Sequence, residues 1–146
     1  MNTMEIPNPN FADEVRRSFA RQPMMQLIGA TLSLVEPGVV EITLPYRQEL
    51  TQQNGYLHAG MVTTIADTAC GYAAFSLMPA GSEVLSVEFK VNLLRPAVGD
   101  SLLARAEVIK AGKTLTVVRA DVFAITENNR TLVATMQGTM ICLRGS

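Results

Sequence analysis

Apolar side chains recur at Phe11, Val15 and Phe19 with charged residues between them. That is the four-residue step of an amphipathic helix, and Asn10 stands where its N-cap belongs. Two short alternating or β-branched runs follow, Thr31–Glu36 and residues 39–44, split by Pro37-Gly38 and closed by Pro45. The pattern predicts a hairpin. After a polar stretch over residues 47–55, residues 59–78 are almost uniformly apolar or small and end at Pro79-Ala80-Gly81. This predicts one long helix of about 30 Å with a clear stop signal. From residue 83 the character changes to β-branched runs over 83–94, 101–110, 114–126 and 131–143, separated by short breaks rich in Gly, Asn and Pro. Connections this short predict four antiparallel strands in a meander.

A helix that is nearly uncharged on every side must be surrounded. The predicted fold class is therefore α+β: a curved antiparallel β-sheet wrapped around one long central helix. With 146 residues and 48% apolar composition, the chain suits one domain over 1–146, in which residues 1–28 form an N-terminal extension carrying the short helix. No internal repeat or low-complexity stretch interrupts it.

Charge narrows the partners. Twelve Lys and Arg against thirteen Asp and Glu leave a net charge of −1 with no run of like charge, so no nucleic acid and no acidic membrane is expected to bind. Residues 59–78 approach the length needed to span a bilayer, about 20 residues. Asp67 near their middle costs about 2.5–3.5 kcal/mol on insertion scales, and Thr63, Thr64, Thr68, Gly71 and Ser76 dilute the apolarity, so a buried helix is the better reading. Residues 1–10 lack a basic and an apolar signal region, which makes the cytoplasm the expected location. Cys70 and Cys142 form no metal-binding or redox motif and are expected to be buried reduced thiols.

Asp67 is the first candidate for chemistry, because a carboxylate inside an otherwise uncharged helix is costly unless it is paired or used. The second lies just upstream, where Gln52-Gln53-Asn54-Gly55-Tyr56-Leu57-His58-Ala59-Gly60 runs into the helix. Small residues at Ala59 and Gly60 present backbone N–H groups at the positive end of the helix dipole, a ready oxyanion site. Ala59 and Asp67 are eight residues apart, about 12 Å along a helix axis. They cannot converge on one carbonyl within a chain. If both serve one reaction, the Asp67 of one subunit faces the helix start of another, and a two-fold dimer with two shared sites is predicted. His58, the only histidine, points away from Asp67 at this spacing, so a triad with Ser86 is poor and the ring is expected to bond backbone groups of the turn. No metal-ligand spacing is present.

Asn54-Gly55-Tyr56-Leu57-His58-Ala59-Gly60, followed by Ala66-Asp67-Thr68-Ala69, resembles the N-x-x-G-x-L-H-G-G and L-x-D-x-A signature of the PaaI-like hotdog-fold acyl-CoA thioesterases, with the same nine-residue step from His to Asp. Leu85-Ser86-Val87-Glu88-Phe89 through Arg95-Pro96-Ala97 and Lys110-Ala111-Gly112-Lys113-Thr114-Leu115 resemble a later strand and turn of the family, so the likeness runs from about residue 29 to 142. It implies a hotdog fold and a thioester hydrolase. It implies that Asp67 attacks the thioester or activates water, that the Ala59 N–H polarises the carbonyl from the other subunit, that Gln52 orients water and that Ser86 assists. Ala59 replaces the family's usual glycine, and any of Gln52, Gln53 and Asn54 could hold the water. Asn54, His58, Gly60, Arg95, Lys113 and Thr114, with Lys110, are the implied substrate contacts. No metal or cofactor is implied beyond CoA as part of the substrate. The implied assembly is a homodimer as minimum unit, two of which join as a homotetramer. A non-catalytic acyl-CoA sensor of the same fold is the alternative, although it would ordinarily carry a DNA-binding segment that Arg16, Arg17 and Arg21 alone do not make. A hydratase would need a His soon after the Asp.

Overall fold

The computed structural model describes residues 5–144. The first four residues of the 1–10 segment therefore lie outside the described part, as do the last two of the chain. Three α-helices, α1 (Phe11–Ala20), α2 (Pro23–Ile28) and α3 (Ala59–Phe75), accompany six strands: β1 (Thr31–Glu36), β2 (Val39–Pro45), β3 (Ser82–Leu93), β4 (Ser101–Ala111), β5 (Leu115–Thr126) and β6 (Asn129–Arg144). All strand pairs are antiparallel. The sheet packs on α3 through β2, β3, β4, β5 and β6, which is the α+β hotdog arrangement of a sheet curled around one helix.

Alternation along the strands sends one face inward: Val40, Ile42 and Leu44 on β2, Leu102, Ala104 and Ala106 on β4, Val118, Ala120 and Val122 on β5. The helix answers with Val62, Ile65, Ala66, Ala69 and Ala73. Alanine on both sides lets the helix lie close to the sheet, while Ile65, Ile42 and Leu102, all fully buried, each contribute about 1.5–3 kcal/mol of burial.

Four particulars depart from the sequence pattern. Strands β3 to β6 are not a simple meander, because the sheet order is β1-β2-β4-β5-β6-β3. The segment after β3 crosses the end of the sheet, where Ala97 O accepts from Leu57 N–H at 3.1 Å, and β4 then pairs with β2 rather than with β3. This leaves β3 as an edge. The long helix stops at Phe75, with Ser76 as its C-cap. Asn10 occupies the N-cap position of α1 but makes no side-chain cap bond; instead Asn8, itself buried, accepts from Asn10 N–H through Oδ1 at 2.9 Å. Finally, α2 is too short for periodicity to reveal, and its signal is punctuation: Pro23 in the first turn and Gly29 at φ 77° just past its end, the usual asymmetry of helix termini.

Candidate active site

Asp67 sits half-buried on α3, not sealed inside it. A hydrogen bond of 2.6 Å from Ser86 Oγ to Asp67 Oδ1 joins the helix to β3. A β-bulge between Ser86 and Glu88 interrupts the β3–β6 register at this point, and such bulges re-aim the neighbouring side chain. One carboxylate oxygen is thereby held in place. Beside the pair opens a pocket of about 280 Å³, bounded by Asp67, Gly71 and Phe75 of α3, by Val84 and Ser86 of β3, and by Ser18 and Gln22 from the N-terminal segment. Tyr72 forms its far wall, with the phenolic oxygen bonded to Ser18 Oγ at 3.0 Å and to Gln22 Nε2 at 2.9 Å. Of the larger apolar residues in the 59–78 segment, Tyr72 and Phe75 line this pocket, Val62 lines a different one, Met78 is core and Met61 packs against the core.

The start of α3 forms a second pocket of about 390 Å³, lined by Gln52, Ala59, Arg95, Leu93 and Leu94 among others. His58 caps the helix: its Nδ1 accepts from Gly60 N–H at 2.7 Å. The ring therefore bonds the turn's backbone, as its position in sequence suggests, and a triad with Asp67 is not formed. It also means that the Gly60 N–H is taken, so the pair of free donors expected at Ala59 and Gly60 reduces to one. The Ala59 N–H has no acceptor among the described residues. Gln52 turns its side-chain oxygen back onto the N–H groups of Asn54 and Tyr56, which leaves its NH₂ as the group able to reach a ligand. Asn54 lies at the exposed tip of that turn and borders neither pocket.

Gly60 is required by this cap, since a Cβ there would stand 2.9 Å from His58 Nδ1. His58→Ala is expected to lose the cap at a cost of about 1 kcal/mol, seen as a lower urea midpoint, whereas in Gly60→Ala the helix preference of alanine, also about 1 kcal/mol, offsets much of the same loss.

The cation candidates divide between the two ends. Arg95 borders the Ala59 pocket and donates to Leu132 O at 2.8 Å. Lys110, Lys113 and Thr114 lie exposed at the β4–β5 turn, whose Thr114 O accepts from Cys142 N–H at 2.8 Å. Since Cys142 pairs with Val84, that turn lies at the Asp67 end of the sheet. Within one chain these residues do not meet.

Cys70, one turn after Asp67, is buried, and burial together with the nearby Asp67 charge pushes its thiol up to about 12 from 9.0. Cys142 is only half-buried, so the expectation of two buried thiols holds for Cys70 alone. In the native protein at pH 8 a thiol reagent is expected to leave Cys70 unlabelled until denaturant is added. The raised value also stabilises the fold fully below pH 9 and loses that contribution as pH climbs towards about 12, because the unfolded thiol ionises first.

No cluster of His, Cys, Asp and Glu able to hold a metal occurs among the described residues, and none of their helices is long and apolar enough to cross a membrane. Residues 54–130 match the family described as the thioesterase superfamily. A thioesterase family protein from Silicibacter pomeroyi superposes with a TM-score of 0.91 at 52% identity, covering 92% of this chain and 99% of that one. The E. coli PaaI protein superposes at 0.84 with 21% identity over 94% and 96% of the two chains, a likeness of fold. Human acyl-coenzyme A thioesterase 13 is 30% identical over 92 residues, 62% of this chain and 65% of that protein.

Proposed function

This chain belongs to the thioesterase superfamily and is a thioester hydrolase, and from that premise we propose that it hydrolyses acyl-CoA thioesters at sites shared between two subunits, with Asp67 as nucleophile or general base and the Ala59 N–H as oxyanion donor. The observation that carries the reading is the placement of the two pockets along β3. The Asp67–Ser86 pocket uses the start of the strand, up to Ser86, and the Ala59 pocket uses its end at Leu93 and beyond. A two-fold axis near Phe89 would pair β3 antiparallel with its copy and set each Asp67 pocket against the partner's Ala59 pocket.

The strand is suited to such pairing. It is 12 residues long and lies at the sheet's edge, with Leu85 57%, Val87 55% and Leu93 55% exposed. An edge that long and apolar invites a partner strand. The same operation brings Arg95 of one subunit to the side of the other where Lys110, Lys113 and Thr114 stand, which supports a path for the CoA phosphates. Ser86 holds one Asp67 oxygen while the other is available to attack the thioester carbon or to take a proton from water. Gln52 contributes its NH₂ to position that water. We further propose a cytoplasmic location, the absence of any cofactor beyond the CoA of the substrate, and the joining of two dimers into a tetramer.

Purified protein assayed against acetyl-, octanoyl- and arylacetyl-CoA should release free CoA from at least one. Tight binding of an acyl-CoA without turnover would favour a sensor instead. A single turnover in ¹⁸O water then separates the roles of Asp67. Label in its carboxylate marks an anhydride opened at the Asp67 carbon, and label only in the product, with no acyl-enzyme trapped on rapid quenching, marks direct attack by water.

A further inference from the structure

Gly71 stands in the middle of α3, one turn beyond Asp67 on the same face. Mid-helix glycine weakens a helix relative to alanine and ordinarily signals a backbone or packing need. Neither is found among the described residues of one subunit. Gly71 is not among the glycines of positive φ, and a Cβ built on it would meet no heavy atom within 4 Å. What the missing side chain leaves is the open space of the pocket beside Asp67.

That space has a direction. Asp67, Gly71 and Phe75 form one stripe of α3 about 12 Å long, with the reactive carboxylate at one end and an aromatic ring at the other. Phe75 meets Tyr72 edge-on, with ring centroids 6.3 Å apart, and Tyr72 is tied to α1 through Ser18 and to the α1–α2 link through Gln22. The N-terminal segment therefore borders the far end. At about 280 Å³ the pocket falls just under the roughly 300–1,000 Å³ found for small-molecule sites.

We infer that Gly71 is a specificity-determining residue: the acyl group of the thioester lies over it, running from Asp67 towards Phe75, and the Tyr72–Ser18–Gln22 contact with the N-terminal segment sets how long an acyl group fits. This rests on the reading of Asp67 as the reactive group. The substrate class is a compact acyl group, accommodated in the groove that the glycine keeps clear, rather than a long chain passing through it.

The test compares wild type, Gly71→Ala and Gly71→Leu for kcat/KM on acetyl-CoA and on octanoyl-CoA, with the melting temperature measured alongside. Gly71→Ala is expected to melt higher than wild type, because alanine favours the helix and its methyl meets nothing. Gly71→Leu is expected to lose about tenfold or more in kcat/KM on octanoyl-CoA relative to acetyl-CoA, a change of ratio that a purely structural defect would not produce. Equal losses on both substrates, no loss on either, or a lower melting temperature for Gly71→Ala would overturn the inference. If the wild type turns over no acyl-CoA, or if Asp67→Asn stays active, the underlying assignment of function falls and takes this inference with it. A changed ratio in Gly71→Leu beside an inactive Asp67→Asn supports both.

Discussion

Asp67→Asn is expected to lower kcat by about 10²–10⁴-fold while the protein stays folded. Asparagine keeps the shape of the side chain and an oxygen able to accept the 2.6 Å bond from Ser86, so the link between α3 and β3 survives. What disappears is the negative charge, and with it both the nucleophile and the base. The half-buried position of Asp67 means that no large folding penalty accompanies the change. Steady-state hydrolysis and thermal melting on the same preparation separate the two effects. Retention of most of the activity would remove Asp67 from the chemistry.

A variant at the other end of α3 should be inactive for a different reason. Ala59→Pro deletes the one N–H at the helix start that lacks an acceptor. Proline is well tolerated at a first helical position, so the helix persists while the oxyanion donor is lost, at a cost of about 10²–10³-fold in kcat. Mixing this variant with Asp67→Ala, after dissociation and reassociation, should restore on the order of a quarter of wild-type activity. Half the dimers would then be hybrids, and each hybrid carries one site with both groups intact. Hybrids shown by mass spectrometry to form, yet inactive, would count against sites shared across the two-fold.

The hairpin of β1 and β2, the long helix and the later strands are all legible in the chain, because each is written in local chemistry: alternation for strands, uniform apolarity for a surrounded helix, and Pro or Gly at the breaks. The incompatibility of Ala59 and Asp67 within one subunit is equally local, since eight helical residues set their separation. Strand order is not. The break over residues 94–100 has the composition of a short connection, yet it carries the chain across the end of the sheet to pair β4 with β2. Nothing in those residues distinguishes a tight turn from a crossing; the choice is made by which strand edge the earlier hairpin leaves open.

The same division runs through the site. Asp67 stands out in sequence because a charge in an apolar helix demands a reason. Its contact with Ser86, 19 positions away, has no local signature and depends on how the edge strand and its bulge lie against α3. His58 shows the point from the other side: its place before the helix marks it as a turn former, but only the folded backbone decides that it takes the Gly60 N–H and leaves that of Ala59 open. Gly71 reads in sequence as dilution of an apolar run. Its meaning comes from empty space above it, and empty space is a property of what surrounds a residue, which no residue type encodes.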